Sequence, residues 1–498
     1  MSTRLRSALA IWRSRNPRPT GDLAFTIYAG LTVTAIIVFP LARAIWLFAS
    51  SPAVISFLAH PSAAAWFGFI AVAVWASALL LGSKRGPALR SSFITQVLAS
   101  SDIPRARSFR GPLLRAGAVT TVVITATTVL LGAALFAGNS IEALPAIGFA
   151  AAGVAAGIIA SICWLLGQVY QRAAAPVAAI VLALGVATLA LPSLQPFSPA
   201  GWLALSYPTA ASWQAITALS GLAVIALAAV PAIMTHLELN VLVAQARRWE
   251  STLAFGTNMD FEGAASLFRT PPTKGRRLQA VSRSRGALLM FIWRDFMGAI
   301  RAPGRFASGV VTISAAGLLL TLAFLPSAPA WVFGAGGGLL LFGGLGPLTD
   351  GLRHAATAVT DLPLYGVSDE RLLSYHSAFP LLLLMTVLLV AVLACCAAVG
   401  TDVLGPASAA LIAGFLVFAT RIASFLKGTM PPALMSPMPT PAGDLSVAVR
   451  AVRALDGLLL AVLCGGVAVT AFIAPWSLAL TVAAVLSLGV YRWRQRRR

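Results

Sequence analysis

Twelve apolar runs dominate the sequence. They lie at residues 23–39, 64–81, 116–136, 144–166, 173–191 and 213–234, and again at 308–324, 331–345, 379–398, 407–425, 458–473 and 476–491. A helix needs about 20 apolar residues to cross a bilayer. Inside lipid, only a helix or a closed barrel satisfies its own backbone polar groups. Runs of this length and composition specify an all-α integral membrane protein of about twelve transmembrane helices. The rest of the composition leaves little else open: 58% of the residues are hydrophobic, 10% are charged and the mean hydropathy is +0.87. Soluble domains carry charge on about a quarter of their residues, so an ordinary soluble enzyme and a disordered chain are both excluded. The glycine-rich stretch 334–346 is the weakest helix former among the runs.

The 36 Lys and Arg residues against 15 Asp and Glu give a net charge of +21. Such a balance can signal a nucleic-acid partner, but its placement argues for membrane topology and no nucleic acid. Segments 49–63, 137–143, 192–212, 325–330, 399–406 and 474–475 contain no Lys or Arg, whereas the N-terminal residues 1–20, 83–115, 235–307, 346–377, 426–457 and the tail RWRQRRR hold nearly all of them. Basic residues mark cytoplasmic loops, so both termini are expected in the cytoplasm. Arg43 is the main exception and fits a snorkelling position. Trp202, Trp213, Trp331 and Trp476 fall near the outer boundaries, where indole rings favour the headgroup layer. The basic N-terminus lacks the pattern of a cleavable signal peptide.

The runs divide into two sets of six. Residues 1–234 form a first six-span half with a basic interfacial segment. Residues 235–292 form a cytoplasmic linker with some helix near 237–249. Residues 293–498 form a second six-span half with a basic tail. Because six is even, the halves are expected to be parallel. They also echo each other: Trp12-Arg13 opens the first and Trp293-Arg294 the second, and Gly86-Pro87 and Gly346-Pro347 follow the second span of each. A loop with Ser101, Asp102 and Arg105 then matches one with Ser368, Asp369 and Arg371. A weak internal repeat is the trace that two fused transporter halves leave.

Catalytic motifs are missing. The sequence has no GxxxxGK[ST] phosphate loop, no HExxH and no GxSxG. His60, His236, His354 and His376 are scattered and read as interface or loop residues. Cys163, Cys395, Cys396 and Cys464 lie in apolar runs and read as core residues, neither disulfides nor metal ligands. Glu142, Asp402, Arg421 and Asp456 all fit span ends, so charges near span centres, the usual mark of an ion-coupled carrier, are scarce. No enzymatic activity, cofactor or metal is expected on this chain.

With its interfacial opening segment, six spans and basic loop between spans two and three, each half resembles an ABC-2-type transporter permease. The stretches SSDIPRARSFRGPLLR and VSDERLLSYHSAFPLLL carry the likeness. LPLYGVSDERLLSYH and the later TPAGDLS resemble a fused twelve-span permease-like form of high-GC bacteria. The resemblance implies the transmembrane subunit of an ATP-driven exporter in a bacterial inner membrane. ATP and magnesium would then bind a separate ABC-type ATPase subunit, and one fused chain would supply both permease halves. It further implies that Ser101, Asp102, Arg105, Ser368, Asp369 and Arg371 belong to ATPase-coupling loops. Trp12, Arg13, Trp293 and Arg294 would lie in segments along the inner membrane surface, among membrane lipids. Read from the residues alone, a solvated N-cap and an inert interfacial anchor fit the same positions. The proline-rich segment 192–212 fits either a pair of re-entrant helices or an external turn. A secondary-active carrier of two six-span halves and a non-transporting scaffold are the competing readings.

Overall fold

The computed structural model describes residues 34–257, 259–268, 286–326, 328–359, 366–428 and 443–497, with isolated positions elsewhere. Trp12 and Arg13, the basic run 274–285, and Leu364 and Tyr365 ahead of the second loop lie outside the described residues. Regular structure among those described is helical, apart from a two-residue pairing of Pro439–Thr440 with Gly443–Asp444. Among the described residues, eleven helices are long and apolar enough to cross a membrane. The chain is an all-α, multi-span membrane protein. It divides into two compact units, Met1–Asn258 with Glu262–Phe268, and Met259–Phe261 with Arg269–Arg498.

In the first unit a π-helical turn, Thr34–Val38, leads into α1 (Phe39–Ala49). Then come α2 (Pro52–Ala59), α3 (Pro61–Lys84), α4 (Ser92–Ala99), α5 (Arg105–Ser108), α6 (Arg110–Ala137) and α7 (Ala143–Val169). The unit closes with α8 (Ala174–Ala190), α9 (Pro199–Leu205), α10 (Trp213–Thr235) and α11 (Leu239–Thr257). The central element is α7, which packs on α3, α6 and α10. It buries Ala152, Gly153, Ala156, Gly157 and Ala160 along its length. Small residues predominate because lipid is as apolar as leucine, so helices associate by close backbone approach. A Cβ on Gly157 would stand 2.6 Å from Thr121 Cα of α6.

The fifth apolar run yields the 17-residue helix α8, which the eleven long spans do not include. At 1.5 Å per residue it is about 25 Å long, short of a hydrocarbon core of about 30 Å. Pro192 stops it by forcing Leu191 out of the helical region. The segment after α8 folds back. Ala200 and Leu203 of α9 join Val72 and Trp75 of α3 in one core, and Ser198 accepts from Gly201 N at 3.0 Å to cap α9. Tyr207, buried behind it, donates to Leu58 O at 3.0 Å, and burial pushes its hydroxyl up to about 12.

The second unit contains α12 (Ala287–Ile300), α13 (Pro303–Leu322), α14 (Ala330–Leu345), α15 (Asp350–Ala358) and α16 (Asp369–Val399). It ends with α17 (Leu404–Phe425), α18 (Leu445–Val469) and α19 (Pro475–Arg497). The glycine-rich run does form a helix, α14. Its glycines cost propensity, about 1 kcal/mol each, but they admit α18. Gly334 and Gly338 meet Ala461 and Gly465 so closely that a Cβ on Gly338 would overlap Ala461 O. The third span, α16, runs for 31 residues and ends at Gly400, whose φ of 74° supplies a left-handed cap.

The two units share part of their packing. In both, the second span contacts the fourth and fifth, the third contacts the fourth, and the fourth contacts the sixth. All four cysteines are free, with Cys396 and Cys464 buried. Part of the expected 235–292 linker is integral to the first unit: Leu242, Gln245 and Ala246 of α11 are buried there.

Candidate functional site

Successive spans alternate in direction, so each unit has two ends, and the Lys and Arg residues gather at one of them. In the first unit this basic end is organised by the residues that leave α3. Arg85 turns the backbone extended, and a buried extended segment must find partners for its N–H and C=O groups. Side chains supply them. Gly86 N donates to Gln245 Oε1 at 3.0 Å, Ala88 N donates to Gln168 Oε1 at 3.1 Å, and Trp164 Nε1 donates to Arg85 O at 2.7 Å. Gln168 Nε2 donates to Gln245 Oε1 at 3.1 Å, and Gln245 Nε2 donates to Gly82 O at 3.0 Å. Both glutamines are fully buried. A Cβ on Gly86 would overlap the Gln168 amide, which explains the glycine of Gly86-Pro87.

Beyond this segment α4 lies off the spans. It turns Ile94, Thr95, Leu98 and Ala99 inward and leaves Phe93, Gln96 and Val97 outward. Glu250 of α11 caps it, accepting from Ser92 N at 2.7 Å and from the Ser92 hydroxyl. Leu98, which precedes the Ser101–Arg105 loop, is 2% exposed within its own unit. Its neighbour Val97 is 46% exposed and Phe93 68%. Ser101 is a turn residue, with its hydroxyl donating to Leu98 O at 2.8 Å. Asp102 is exposed, and Arg105 is half-buried at the start of α5.

A cleft of about 1140 Å³ opens beside α4, walled by the 85–94 segment, α6, Trp164 and α11. Arg85, Arg90 and Arg115 line it. The Arg85 guanidinium stacks 3.4 Å above the Trp249 ring, and burial lowers its pKa.

The second unit arranges its basic end differently. Ser368 is the N-cap position of α16, with Asp369, Glu370 and Arg371 in its first turn. This loop therefore has no separate helix between Ser368 and the span. The carboxylates at the helix start are favoured by the dipole, and Glu370 also accepts from Arg497 Nη1 at 2.6 Å. The two loops are not equivalent residue by residue, although α15, like α4, follows the Gly-Pro after the second span.

Trp293 and Arg294 lie on α12. The Trp293 ring stands 5.7 Å from that of Phe296, and Arg294 borders a cavity of about 330 Å³ with Arg301, Arg305 and Asp350. Arg305 pairs with Asp350 at 2.8 Å. The inner side of α12 holds a pair that sequence reasoning missed. His376, read there as interfacial, is fully buried and its Nδ1 is 2.7 Å from Asp295 Oδ2. Its Nε2 has no hydrogen-bond partner among the described residues. Gly351 leaves room for both side chains. Asp456, expected at a span end, lies inside α18 and pairs with Lys427 at 2.9 Å and with Arg492, which also donates to Ala423 O at 3.1 Å. Burial pulls the Lys427 pKa down against the opposing effect of Asp456.

These features define the class as a multi-span helical membrane protein with its polar chemistry concentrated at one end of each unit. Compared with family models, curated proteins and solved structures, the chain gives no match. No group of three or more His, Cys, Asp or Glu side chains that could hold a metal is present among the described residues.

Proposed function

We propose that this chain is the membrane-spanning permease subunit of an ATP-driven exporter, with ATP and magnesium handled by a separate ATPase. It would reside in the inner membrane of a bacterium, multi-pass, with the basic ends and both termini in the cytoplasm. The observation that carries the reading is α4. This short helix stands off the spans at the basic end, is fixed by its buried face and by the Glu250 cap, and presents Phe93 and Val97 outward. Such an element suits transmission of a partner's movement, because its inner face packs with Leu165 of α7 and Met234 of α10. Asp102 and Arg105 beside it, with Asp369 and Arg371 in the second unit, would supply charge complementarity to the ATPase.

The test is recovery of the ATPase with the purified chain. Reversal Arg105→Glu, or Phe93→Asp on the outer face of α4, should reduce recovery with membrane insertion intact. Truncating a buried charge at such a contact typically costs about 2–5 kcal/mol, whereas a solvated charge contributes at most about 1 kcal/mol. Equal recovery by wild type and both variants would remove α4 and its loop from the coupling surface.

One observation favours the carrier reading: a buried carboxylate–imidazole pair, Asp295 and His376, joins α12 to the N-terminal turns of the long span α16. Substrate uptake or efflux in vesicles driven by a pH gradient, without ATP and abolished by His376→Gln, distinguishes it from the exporter.

A further inference from the structure

The cleft at the basic end of the first unit has a division that neither the exporter nor the carrier reading uses. Its inner wall is cationic. Arg85 is held over Trp249, Arg90 is anchored by Nε to Ser108 O at 3.2 Å, and Arg115 is exposed on the first turns of α6. The carboxylate in the wall, Glu250, is engaged as the cap of α4, with both oxygens accepting from Ser92. Against this one carboxylate the wall sets three guanidinium groups, so its net charge is positive. From Arg115 the cleft continues along Ala116 and Val119 of α6, a membrane span on which Val119 is 65% exposed. A ligand filling it would need an anionic head and an apolar tail side by side.

We infer that this cleft binds an anionic glycerophospholipid, with the phosphate among Arg85, Arg90 and Arg115 and the acyl chains along α6. Guanidinium groups match phosphate oxygens with paired N–H donors. Indole rings at Trp164 and Trp249 suit the headgroup layer. Basic pockets between spans are a general means of lipid recognition. The cleft volume of about 1140 Å³ exceeds that of ordinary small-ligand pockets, about 300–1,000 Å³. The site does not depend on any ATPase partner.

The experiment uses the full chain in detergent micelles containing equal amounts of phosphatidylglycerol and phosphatidylcholine, with retained lipid counted by native mass spectrometry. Wild type retains phosphatidylglycerol preferentially. Arg115→Gln lowers the ratio of anionic to zwitterionic lipid about fivefold, and Arg85→Gln lowers it by a similar factor. Arg107→Gln, at the same end but outside the cleft, leaves the ratio unchanged. Arg115 is exposed, so its variant folds and decides the matter even if Arg85→Gln does not. Soluble glycerol phosphate at matched concentration leaves the lipid in place. An unchanged ratio for Arg115→Gln, or equal retention of both lipids by wild type, overturns the site. Displacement by glycerol phosphate as effective as that by the lipid itself would mean that the cleft reads a free phosphate.

Discussion

Replacing Gln245 by Leu tests how the basic end of the first unit is built. The leucine keeps most of the volume but strands three buried groups: the Gly86 N–H, the Gln168 amide and the Gly82 carbonyl. Each costs about 1–3 kcal/mol when left unpaired. About 1–2 kcal/mol returns from burying the extra apolar group, so the net loss is about 1–8 kcal/mol. Gln168→Leu strands mainly the Ala88 N–H. The double variant should fall short of the sum of the single effects, because the Gln168 amide stranded by the first change is absent in the double. The shortfall is about 1–3 kcal/mol, the cost of that one group. Thermal unfolding of the full chain in detergent, followed by tryptophan fluorescence, measures all three. The expected fall in midpoint for Gln245→Leu is at least about 2 °C. An unchanged midpoint, or strict additivity in the double variant, refutes the shared network.

Gly338→Leu should abolish the monodisperse peak in size-exclusion chromatography, because a side chain there meets the backbone of α18; Gly343→Leu, which faces open space, should preserve it. Asp456→Asn removes the shared partner of Lys427 and Arg492 and should destabilise by about 3–5 kcal/mol in chemical denaturation, whereas Glu370→Gln, at an exposed pair, should leave the curve in place. In a cysteine-free background, a cysteine at Phe197 should react with an impermeant reagent added to intact cells and one at Gln495 should not; labelling of the tail from outside overturns the positive-inside threading. The purified chain alone should hydrolyse no ATP, and turnover persisting without a second polypeptide would contradict this.

The sequence by itself determined the class and the outline. Apolar runs of bilayer length leave no alternative to spanning helices, since the constraint acts on each run separately and needs no knowledge of its neighbours. The Gly-Pro after each second span was legible for the same local reason. What depends on neighbours was not. The glycines of α14 read only as weak helix formers until α18 is seen to need their space. Along the chain Leu98 is one apolar residue beside Val97, and only the packing of α4 turns Leu98 inward and Val97 outward. Gln168 and Gln245 stand 77 residues apart, and His376 and Asp295 81 apart, and nothing in their surroundings along the chain marks them. A buried polar side chain is determined by the group that meets it, and in a helical bundle that group comes from another helix. Only the tertiary structure decided those pairings, and with them where the polar chemistry of this membrane protein lies.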